Sequence, residues 1–531
     1  MTTFGVKSNC IFILGDLLLK STKTFNESVK TYSIEISILT GHYCFKPYFC
    51  RHIKKQLKQD QSTKLELPAK EMTDFGYRVV DAVVEHFETQ GEKHPVASGS
   101  RTEMEDLFYE DVPEDPTPAN QVLDFVLQNV MPQSNIMSHP QSYSFVPGPS
   151  NYISVMSDTL ATGFNIFSGG WVGSPAAATI EIITINWLLK MFNFPVKKGG
   201  GIFTSGGSMA NLTALATARK VKCGEDFSKA VIYLSDQAHS SNIKAISILG
   251  FRKEQVRIIP TDMEFKFSIN KLKNAIAKDK LEGYQPMCIV ASSGTTNTGT
   301  IDPLDELAGI CKVENIWFHV DGAFGAAAIL SKNGKRIFKG IEKADSLTID
   351  PHKWLFQPYE IGCLLVQNHK HLRGTFSEKA SYLRDIEGNE SEINFYDHGI
   401  ELTRNFRALK FYMSVKTFGL KAFRDAINYN IELAEQVESE LRNSTKWEVI
   451  SPATLAIINF RYHPVGQKFT DRKLDQINQK ISANVMASKE ALLVTTMLQG
   501  QVVLRMCLIN PRTTLDHVKS TLRLCEKFAV E

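Results

Sequence analysis

The strongest candidate for covalent chemistry is Lys353, which lies in the segment Asp-Pro-His-Lys-Trp at residues 350–354. This segment directly follows the predicted strand Ser346–Ile349, so the lysine is expected just past the carboxyl end of a strand. Its apolar neighbours Leu355 and Phe356 predict partial desolvation, which lowers the pKa of the amine and favours the neutral form that condenses with an aldehyde. A lysine after a turn is more often an ordinary surface residue. Whether Lys353 has a chemical role therefore depends on the residues that follow the neighbouring strands.

Asp321 supplies an acid at the end of the preceding predicted strand, Ile316–Val320. The chain between Asp321 and Lys353 is long enough for one crossover, so both side chains are expected at the same edge of the sheet. A carboxylate that faces a pyridine nitrogen keeps it protonated, and the ring then accepts electrons. An aspartate and a lysine in these roles are the minimum set for pyridoxal 5′-phosphate, although a lone aspartate here would more often cap a helix.

An anion site and an aromatic side chain follow two other predicted strands. Residues 204–208, Thr-Ser-Gly-Gly-Ser, precede the predicted helix Met209–Lys220, so backbone N–H groups and the Ser208 hydroxyl can receive a phosphate. His239 lies in the segment 235–241 and can stack on a flat cofactor ring. Glycine turns and loop histidines are common, but here they share the strand-end position of the aspartate and the lysine.

Strands and helices alternate in the middle of the chain, which predicts an α/β fold with a mostly parallel sheet. Helices are predicted at Ser208–Lys220 and Ser240–Gly250. After Phe418 the pattern changes to long helices with strands at Ala456–Tyr462 and Val502–Leu508, typical of a smaller α+β domain. The predicted strands of the large domain are Ala230–Leu234, Val256–Ile259, Cys288–Ala291, Ile316–Val320, Ser346–Ile349 and Cys363–Val366.

Four parts are predicted along the chain. Residues 1–62 lack a sustained helical or strand period and are expected to form a poorly ordered extension, whose role the sequence leaves open. A helical segment (63–147), a large cofactor-binding domain (148–417) and a small C-terminal domain (418–531) follow. Thr73 is expected to cap the first helix, whose apolar positions recur at helical spacing. Those positions are Phe75, Val79, Val83 and Phe87.

Composition and charge exclude several classes of protein. The 531 residues are 43% hydrophobic and 22% charged, which is the balance of a globular protein rather than a disordered or fibrous one. A net charge of +3 gives no reason to expect nucleic-acid binding. Nine cysteines without a CxxC pair predict reduced thiols and no metal site. No apolar run approaches the roughly 20 residues that span a bilayer, so we expect a soluble, cytoplasmic protein with no membrane partner.

These motifs together resemble the group II pyridoxal-phosphate decarboxylases, and among them the aromatic-L-amino-acid decarboxylases, particularly bacterial members similar to tryptophan decarboxylase. The resemblance runs from about Met72 to the C-terminus. It is most specific at residues 235–241, 293–296 (Ser-Gly-Thr-Thr), 319–321 (His-Val-Asp) and 351–354. It implies the fold-type-I architecture of pyridoxal-phosphate-dependent transferases, with a mostly parallel seven-stranded sheet between helices. It also implies a homodimer with the active site at the interface.

The resemblance gives roles to individual residues. Lys353 matches the lysine that binds the cofactor covalently, and Asp321 matches the partner of the ring nitrogen. His239 matches a histidine that stacks on the ring and contacts substrate. Asp350 stands where animal relatives have asparagine, and an acid so near a phosphate would repel it unless it points away. The remaining cofactor contacts are implied at Gly207, Ser208, Thr295, Ala323 and His352.

A catalytic tyrosine is implied in the polar stretch between Gln367 and Ile400, whose composition is typical of a mobile lid. Tyr382 stands at that place. The resemblance gives Tyr382, together with His239, the return of a proton to the substrate carbon after CO2 has left. Relatives with phenylalanine there tend to be aldehyde synthases, so the tyrosine favours simple decarboxylation.

The segment from Gln141 to Leu189 contains no lysine, arginine or histidine, which favours an aromatic over an acidic substrate side chain. The resemblance places part of the substrate pocket here, and Gly148 and Gly169 stand where animal relatives tend to have bulkier residues. This room favours tryptophan, while phenylalanine, tyrosine and dopa stay open. The implied substrate contacts are Phe145, Val146, Pro147, Gly148, Phe167, Gly169 and Trp171.

We therefore predict decarboxylation of an aromatic L-amino acid to its amine and CO2. Two enzymatic alternatives stay open: a decarboxylase of glutamate or cysteine sulfinate, and an aromatic aldehyde synthase. A third alternative, a non-catalytic protein on this fold, is disfavoured by the intact set of Lys353, Asp321 and His239.

Overall fold

The fold is known for most of the chain beyond the predicted extension. The computed structural model describes residues 65–146, 148–378 and 392–530. The extension 1–62, Pro147 and Tyr382 lie outside the described residues, so the predictions made for them stay predictions. Within the ranges that the structure describes, no helix is both long enough and apolar enough to cross a membrane.

A seven-stranded sheet forms the centre of the fold and confirms the predicted α/β class. Its strands are β1 Gly200–Thr204, β2 Ala230–Ser235, β3 Val256–Ile259, β4 Gln285–Ser292, β5 Trp317–Asp321, β6 Ser346–Ile349 and β7 Gly362–Val366. They lie in the order β1-β7-β6-β5-β4-β2-β3. The strand β7 is antiparallel to β1 and β6, and the other pairs are parallel. All six strands predicted for this domain are present; β3 and β6 have the predicted bounds, and the other four are shifted at one or both ends.

Helices pack against this sheet, which is why most of its strands are continuous apolar runs. The helix that follows β1 crosses the centre of the sheet, and small buried residues such as Ala210 and Ala214 let it approach closely. The α-helices before the C-terminal region are α1 Ala69–Thr89, α2 Arg101–Phe108, α3 Ala119–Phe125, α4 Tyr152–Gly163, α5 Pro175–Met191, α6 Gly207–Cys223, α7 Ser240–Ile248, α8 Ile269–Leu281, α9 Leu304–Glu314, α10 Gly334–Ile337 and α11 His369–Phe376.

The C-terminal region has the expected α+β composition. It begins with a long helix, which is kinked at Gly419, where φ is 70°. A four-stranded antiparallel sheet follows, in the order β10-β11-β9-β8 once its strands are numbered along the chain. The elements are α12 Ala408–Asn443, β8 Trp447–Thr454, β9 Ile457–Tyr462, α13 Asp471–Ser488, β10 Val494–Leu498, β11 Gln501–Cys507 and α14 Leu515–Val530.

Both sheets belong to one compact unit that begins at Phe75. The domain boundaries predicted from the sequence stay predictions. The predicted cap is wrong, because α1 begins at Ala69 and Thr73 lies inside it, where its hydroxyl donates to the Ala69 carbonyl at 2.9 Å. The residues between Ala69 and Thr73 are good helix formers, so the helix extends one turn further towards the N-terminus than the apolar spacing indicated.

Candidate active site

A cavity of about 300 Å³ opens at the carboxyl ends of β1, β4, β5 and β6, the edge at which the chemistry was expected. The start of α6 and the start of α7 also contribute to its wall. The structure brings every predicted cofactor residue to this one cavity. Those residues are Gly207, Ser208, His239, Thr295, Asp321, Ala323, Asp350, His352 and Lys353.

Lys353 lies in the turn after β6, and its side chain is 22% exposed. Its ammonium nitrogen is 3.0 Å from Asp350 Oδ2. Burial lowers the pKa of Lys353, but the carboxylates of Asp350 and Asp321 outweigh burial and hold this pKa above its ordinary value. The expectation of a lowered pKa is therefore wrong for this chain. A raised pKa favours the ammonium form, which must lose a proton before its amine can attack an aldehyde.

Burial is the largest single influence on this pKa, so the error arises from the neighbouring carboxylates, which the apolar residues after Lys353 did not indicate. Trp354 is fully buried and stacks on Phe324 with ring centroids 5.2 Å apart. The indole Nε1 donates to Asn430 Oδ1 at 3.0 Å. These contacts anchor the turn that carries Lys353, and Phe324 also lines the cavity.

Asp321 ends β5 and is 7% exposed. Its Oδ2 accepts hydrogen bonds from the side-chain amides of Asn211 at 2.9 Å and Asn242 at 2.8 Å, and its Oδ1 accepts one from the Ala323 backbone at 3.2 Å. Burial raises the pKa of Asp321, but the interaction with His319, the hydrogen bond from Asn242 and the charge of Lys353 together lower it more, so the carboxyl is ionised. A buried carboxylate on the cavity wall can hold a proton on a ring nitrogen. Sequence reasoning missed both asparagines.

A chain of buried hydrogen bonds fixes Asn211. Trp317 Nε1 donates to Ser346 Oγ at 2.8 Å, and Ser346 Oγ lies 2.9 Å from His319 Nδ1. Burial lowers the pKa of His319 to about 4, so the ring is neutral and its Nε2 donates to Asn211 Oδ1 at 3.1 Å. The amide nitrogen of Asn211 is thereby turned towards Asp321. One feature of the sequence indicated this network. Side chains alternate between the two faces of a strand, so Trp317, His319 and Asp321 lie on the same face of β5.

The turn between β1 and α6 fits a phosphate. Gly206 is the N-cap of α6, and no side chain caps the N–H groups of this 17-residue helix. A Cβ atom at Gly207 would lie 2.8 Å from Asp350 Oδ2 and 3.0 Å from Ala323 Cβ, so the close approach requires glycine. Open N–H groups at a helix N-terminus favour an anion. The charged groups for a pyridoxal ring and the turn for its phosphate therefore line the same cavity.

His239 is held in one orientation at the start of α7. Its Nδ1 accepts a hydrogen bond from the Ser241 backbone at 3.2 Å and lies 2.8 Å from Ser241 Oγ. Burial lowers its pKa, so the ring is neutral and its proton lies on Nε2. Asn211 donates to the same Ser241 hydroxyl at 3.0 Å, which ties the histidine to the network around Asp321.

In the first predicted substrate segment, Gly148 lies against the backbone of Lys353, although Phe145, Val146 and Gly148 are not among the residues that line the cavity. A Cβ atom at Gly148 would overlap the backbone carbonyl oxygens of His352 and Lys353. The glycine is therefore explained by close backbone packing, and the expectation that it makes room for an indole is not supported. Arg505, which the sequence reasoning missed, donates to the Phe145 carbonyl at 2.6 Å and to the Thr296 carbonyl at 2.9 Å. It joins this segment to the cavity wall.

The second predicted substrate segment, 167–171, does not line the cavity of the single chain. It is bound instead to residues that precede α12. Tyr396 donates its backbone N–H to the Gly169 carbonyl at 2.9 Å, and the Trp171 backbone donates to Asn394 Oδ1 at 2.8 Å. A Cβ atom at Gly169 would overlap the Leu402 carbonyl, so this glycine too is explained by packing. The substrate roles of Phe145, Val146, Phe167 and Trp171 stay predictions.

A lysine, a carboxylate for the ring nitrogen and a phosphate turn at the strand ends of an α/β sheet define a pyridoxal-phosphate enzyme. Residues 102–463 match the family model described as the pyridoxal-dependent decarboxylase conserved domain. The chain belongs to the pyridoxal-dependent decarboxylase family, and its cofactor is pyridoxal 5′-phosphate. The predicted family and cofactor are confirmed.

Individual relatives agree with this assignment. The chain is 44% identical to an aromatic-L-amino-acid decarboxylase of Bacillus atrophaeus, over 88% of this chain and 98% of that protein. It is 29% identical to a phenylacetaldehyde synthase of Arabidopsis thaliana, over 87% of this chain and 96% of that protein. The structure matches Catharanthus roseus tryptophan decarboxylase in complex with L-tryptophan with a TM-score of 0.81 and 26% identity, over 88% of this chain and 99% of that one.

Proposed function

We propose that this enzyme decarboxylates an aromatic L-amino acid, with tryptophan the favoured substrate and tryptamine the product. The observation that carries the proposal is the charge on the cavity wall. Among the described residues that line the cavity, Lys353 is the only lysine or arginine, and Glu360 adds a carboxylate. Apart from Lys353, the described residues that line the cavity offer no lysine or arginine to a substrate carboxylate other than the one that leaves, whereas an aromatic ring needs none. The relative from Bacillus atrophaeus supports the same substrate class.

Each residue of the site has a distinct role in this proposal. When bound, pyridoxal phosphate accepts the electron pair that the Cα–carboxylate bond leaves as CO2 departs. Asp321 holds a proton on the ring nitrogen, and the amides of Asn211 and Asn242 keep Asp321 in place. His239 lies on the cavity wall with its Nε2–H available to a bound group. Lys353 binds the cofactor between turnovers, and Tyr382 returns a proton to Cα.

A substrate panel tests the proposed specificity. We expect kcat/KM for tryptophan to exceed that for glutamate by about 10²-fold or more, because burying an unpaired carboxylate costs several kcal/mol. The measurement is the release of CO2 and amine from tryptophan, phenylalanine, tyrosine, dopa, glutamate and cysteine sulfinate under equal conditions. Faster turnover of either acidic substrate would overturn the proposed substrate class and favour the acidic-amino-acid decarboxylase.

The aldehyde-synthase alternative is favoured by one relative, the phenylacetaldehyde synthase of Arabidopsis thaliana. Such an enzyme consumes O2 and water and releases aldehyde, CO2, ammonia and hydrogen peroxide. We expect Tyr382→Phe to move the product from amine towards aldehyde, because the variant loses the hydroxyl that delivers the proton to Cα. Amine, ammonia and peroxide are measured together for each protein.

The matched control for this experiment is Tyr429→Phe. The Tyr429 hydroxyl donates to the Thr513 carbonyl in the C-terminal region and does not line the cavity. This variant should give amine alone, as the unmodified enzyme does. An unchanged product from Tyr382→Phe would remove the tyrosine from the proposed mechanism.

We also propose that the enzyme is a cytoplasmic homodimer. Helix α1 has no buried residue, and Phe75, Val79 and Val83 on its apolar face remain partly exposed in the single chain, as expected for a surface covered by a second copy. Buried, unpaired thiols such as Cys288 and Cys363 fit a reducing compartment. Light scattering should give twice the mass of the chain at micromolar concentration, and a monomer would contradict the dimer.

A further inference from the structure

Asp350 is a buried carboxylate on the cavity wall with no role in the proposed decarboxylation mechanism. It follows β6, and its side chain is 2% exposed. Its Oδ2 lies 3.0 Å from Lys353 Nζ and 3.6 Å from His352 Nε2. Its Oδ1 is buried and has no hydrogen-bond partner. Buried carboxylate oxygens are normally satisfied, so this one requires an explanation in terms of the site.

The phosphate turn lies against the same carboxylate. A Cβ atom at Gly207 would be 2.8 Å from Asp350 Oδ2 and 3.3 Å from Oδ1, and one at Gly362 would be 2.8 Å from Oδ1. Gly207 is the first residue of α6, whose N–H groups are not capped by a side chain. A phosphate held by these N–H groups would therefore share this turn with a carboxylate. Two negative charges that share one buried turn repel each other more strongly than they would in bulk water.

Lys353 can offer all three N–H donors of its ammonium to this carboxylate only while its amine is free. When the amine condenses with the cofactor aldehyde, the nitrogen forms bonds to the aldehyde carbon and one water is released. At least two of the three N–H bonds of the ammonium are lost in this step. Asp350 then keeps fewer hydrogen bonds from Lys353 at the moment when the phosphate is present.

We propose that Asp350 is an affinity-determining residue, whose negative charge weakens the binding of the cofactor phosphate and keeps the cofactor exchangeable. In the absence of cofactor the same charge holds the Lys353 ammonium in the cavity. An asparagine at this position has the same shape, carries no charge and offers an N–H donor to the phosphate. The inference rests on pyridoxal phosphate being the cofactor and concerns only how tightly it binds.

Equilibrium binding of two cofactor forms to the full chain tests the proposal. Dissociation constants for pyridoxal phosphate and for pyridoxal, which lacks the phosphate, are measured from protein fluorescence and cofactor absorbance. We expect Asp350→Asn to bind pyridoxal phosphate about tenfold or more tightly than the unmodified chain. The ratio of the two dissociation constants, phosphorylated over unphosphorylated, should fall by a similar factor, because only the phosphate loses a repulsive neighbour.

The controls separate a charge effect from a general change in the site. Asp345→Asn neutralises a carboxylate at the opposite end of β6, where it accepts a hydrogen bond from the Phe318 backbone at 2.8 Å, and should leave the ratio unchanged. Asp350→Ser is a second neutral variant and should lower the ratio if the asparagine variant does not fold. An unchanged ratio in the folded variants, or equal tightening of both cofactor forms, would overturn the proposal. An unmodified chain that bound neither form would refute the cofactor itself.

Discussion

Replacement of Lys353 with alanine is expected to abolish covalent attachment of the cofactor and to lower the decarboxylation rate by a factor on the order of 10⁴ or more. Among the described residues on the cavity wall it is the only lysine, so no second amine is placed to form the bond. Its ammonium is held by Asp350 at 3.0 Å, which fixes the point from which the amine reacts. Attachment is measured by borohydride reduction followed by mass spectrometry of the labelled peptide, and the rate by CO2 release.

The control for this prediction is Lys332→Ala. Lys332 forms an exposed ion pair with Glu432 on the surface of the molecule, and exposed pairs of this kind contribute little to stability. That variant should keep full activity and carry the label on Lys353. A label on any other lysine, or normal turnover by Lys353→Ala, would show that Lys353 does not bind the cofactor covalently.

Replacement of Asp321 with asparagine should lower kcat by about 10²–10³-fold while the cofactor still binds. The change removes the charge opposite the ring nitrogen and keeps the shape of the side chain. The surrounding amides of Asn211 and Asn242 can still donate to the remaining oxygen, so the cavity wall should be preserved. Steady-state rates and the absorbance of bound cofactor measure the two effects separately.

A chemical rescue distinguishes loss of charge from loss of structure. Asp321→Ala, loaded with a cofactor analogue methylated at the ring nitrogen, carries a fixed positive charge on the ring without a carboxylate partner. This combination should recover part of the lost rate, whereas the analogue should not help the unmodified enzyme. The control variant Asp345→Asn removes a carboxylate at the far end of β6 and should retain its rate with the normal cofactor. Full activity of Asp321→Asn would show that no anion is needed at the ring nitrogen.

Much of the fold followed from local pattern. The predicted strands Val256–Ile259 and Ser346–Ile349 have the bounds found in the structure. Apolar runs of this length are typical of buried parallel strands. When a helix joins each strand to the next parallel one, every strand begins at one edge of the sheet and ends at the opposite edge. That rule was enough to predict that Asp321 and Lys353 lie together. The cap at Thr73 was misplaced because helix ends depend on weak local preferences.

The sequence by itself determined the cofactor chemistry, because residue types at successive strand ends are brought together by the handedness and direction of the crossovers. Only the tertiary structure decided the electrostatics and the packing of the site. Asn211 and Asp321 are 110 residues apart, and no local pattern connects them. The raised pKa of Lys353 depends on where the carboxylates of Asp350 and Asp321 point. The need for glycine at position 148 arises from its close packing against the backbone of residues 352 and 353. Such effects depend on distances of a few ångströms between residues far apart in the sequence, and these are set by how the elements pack.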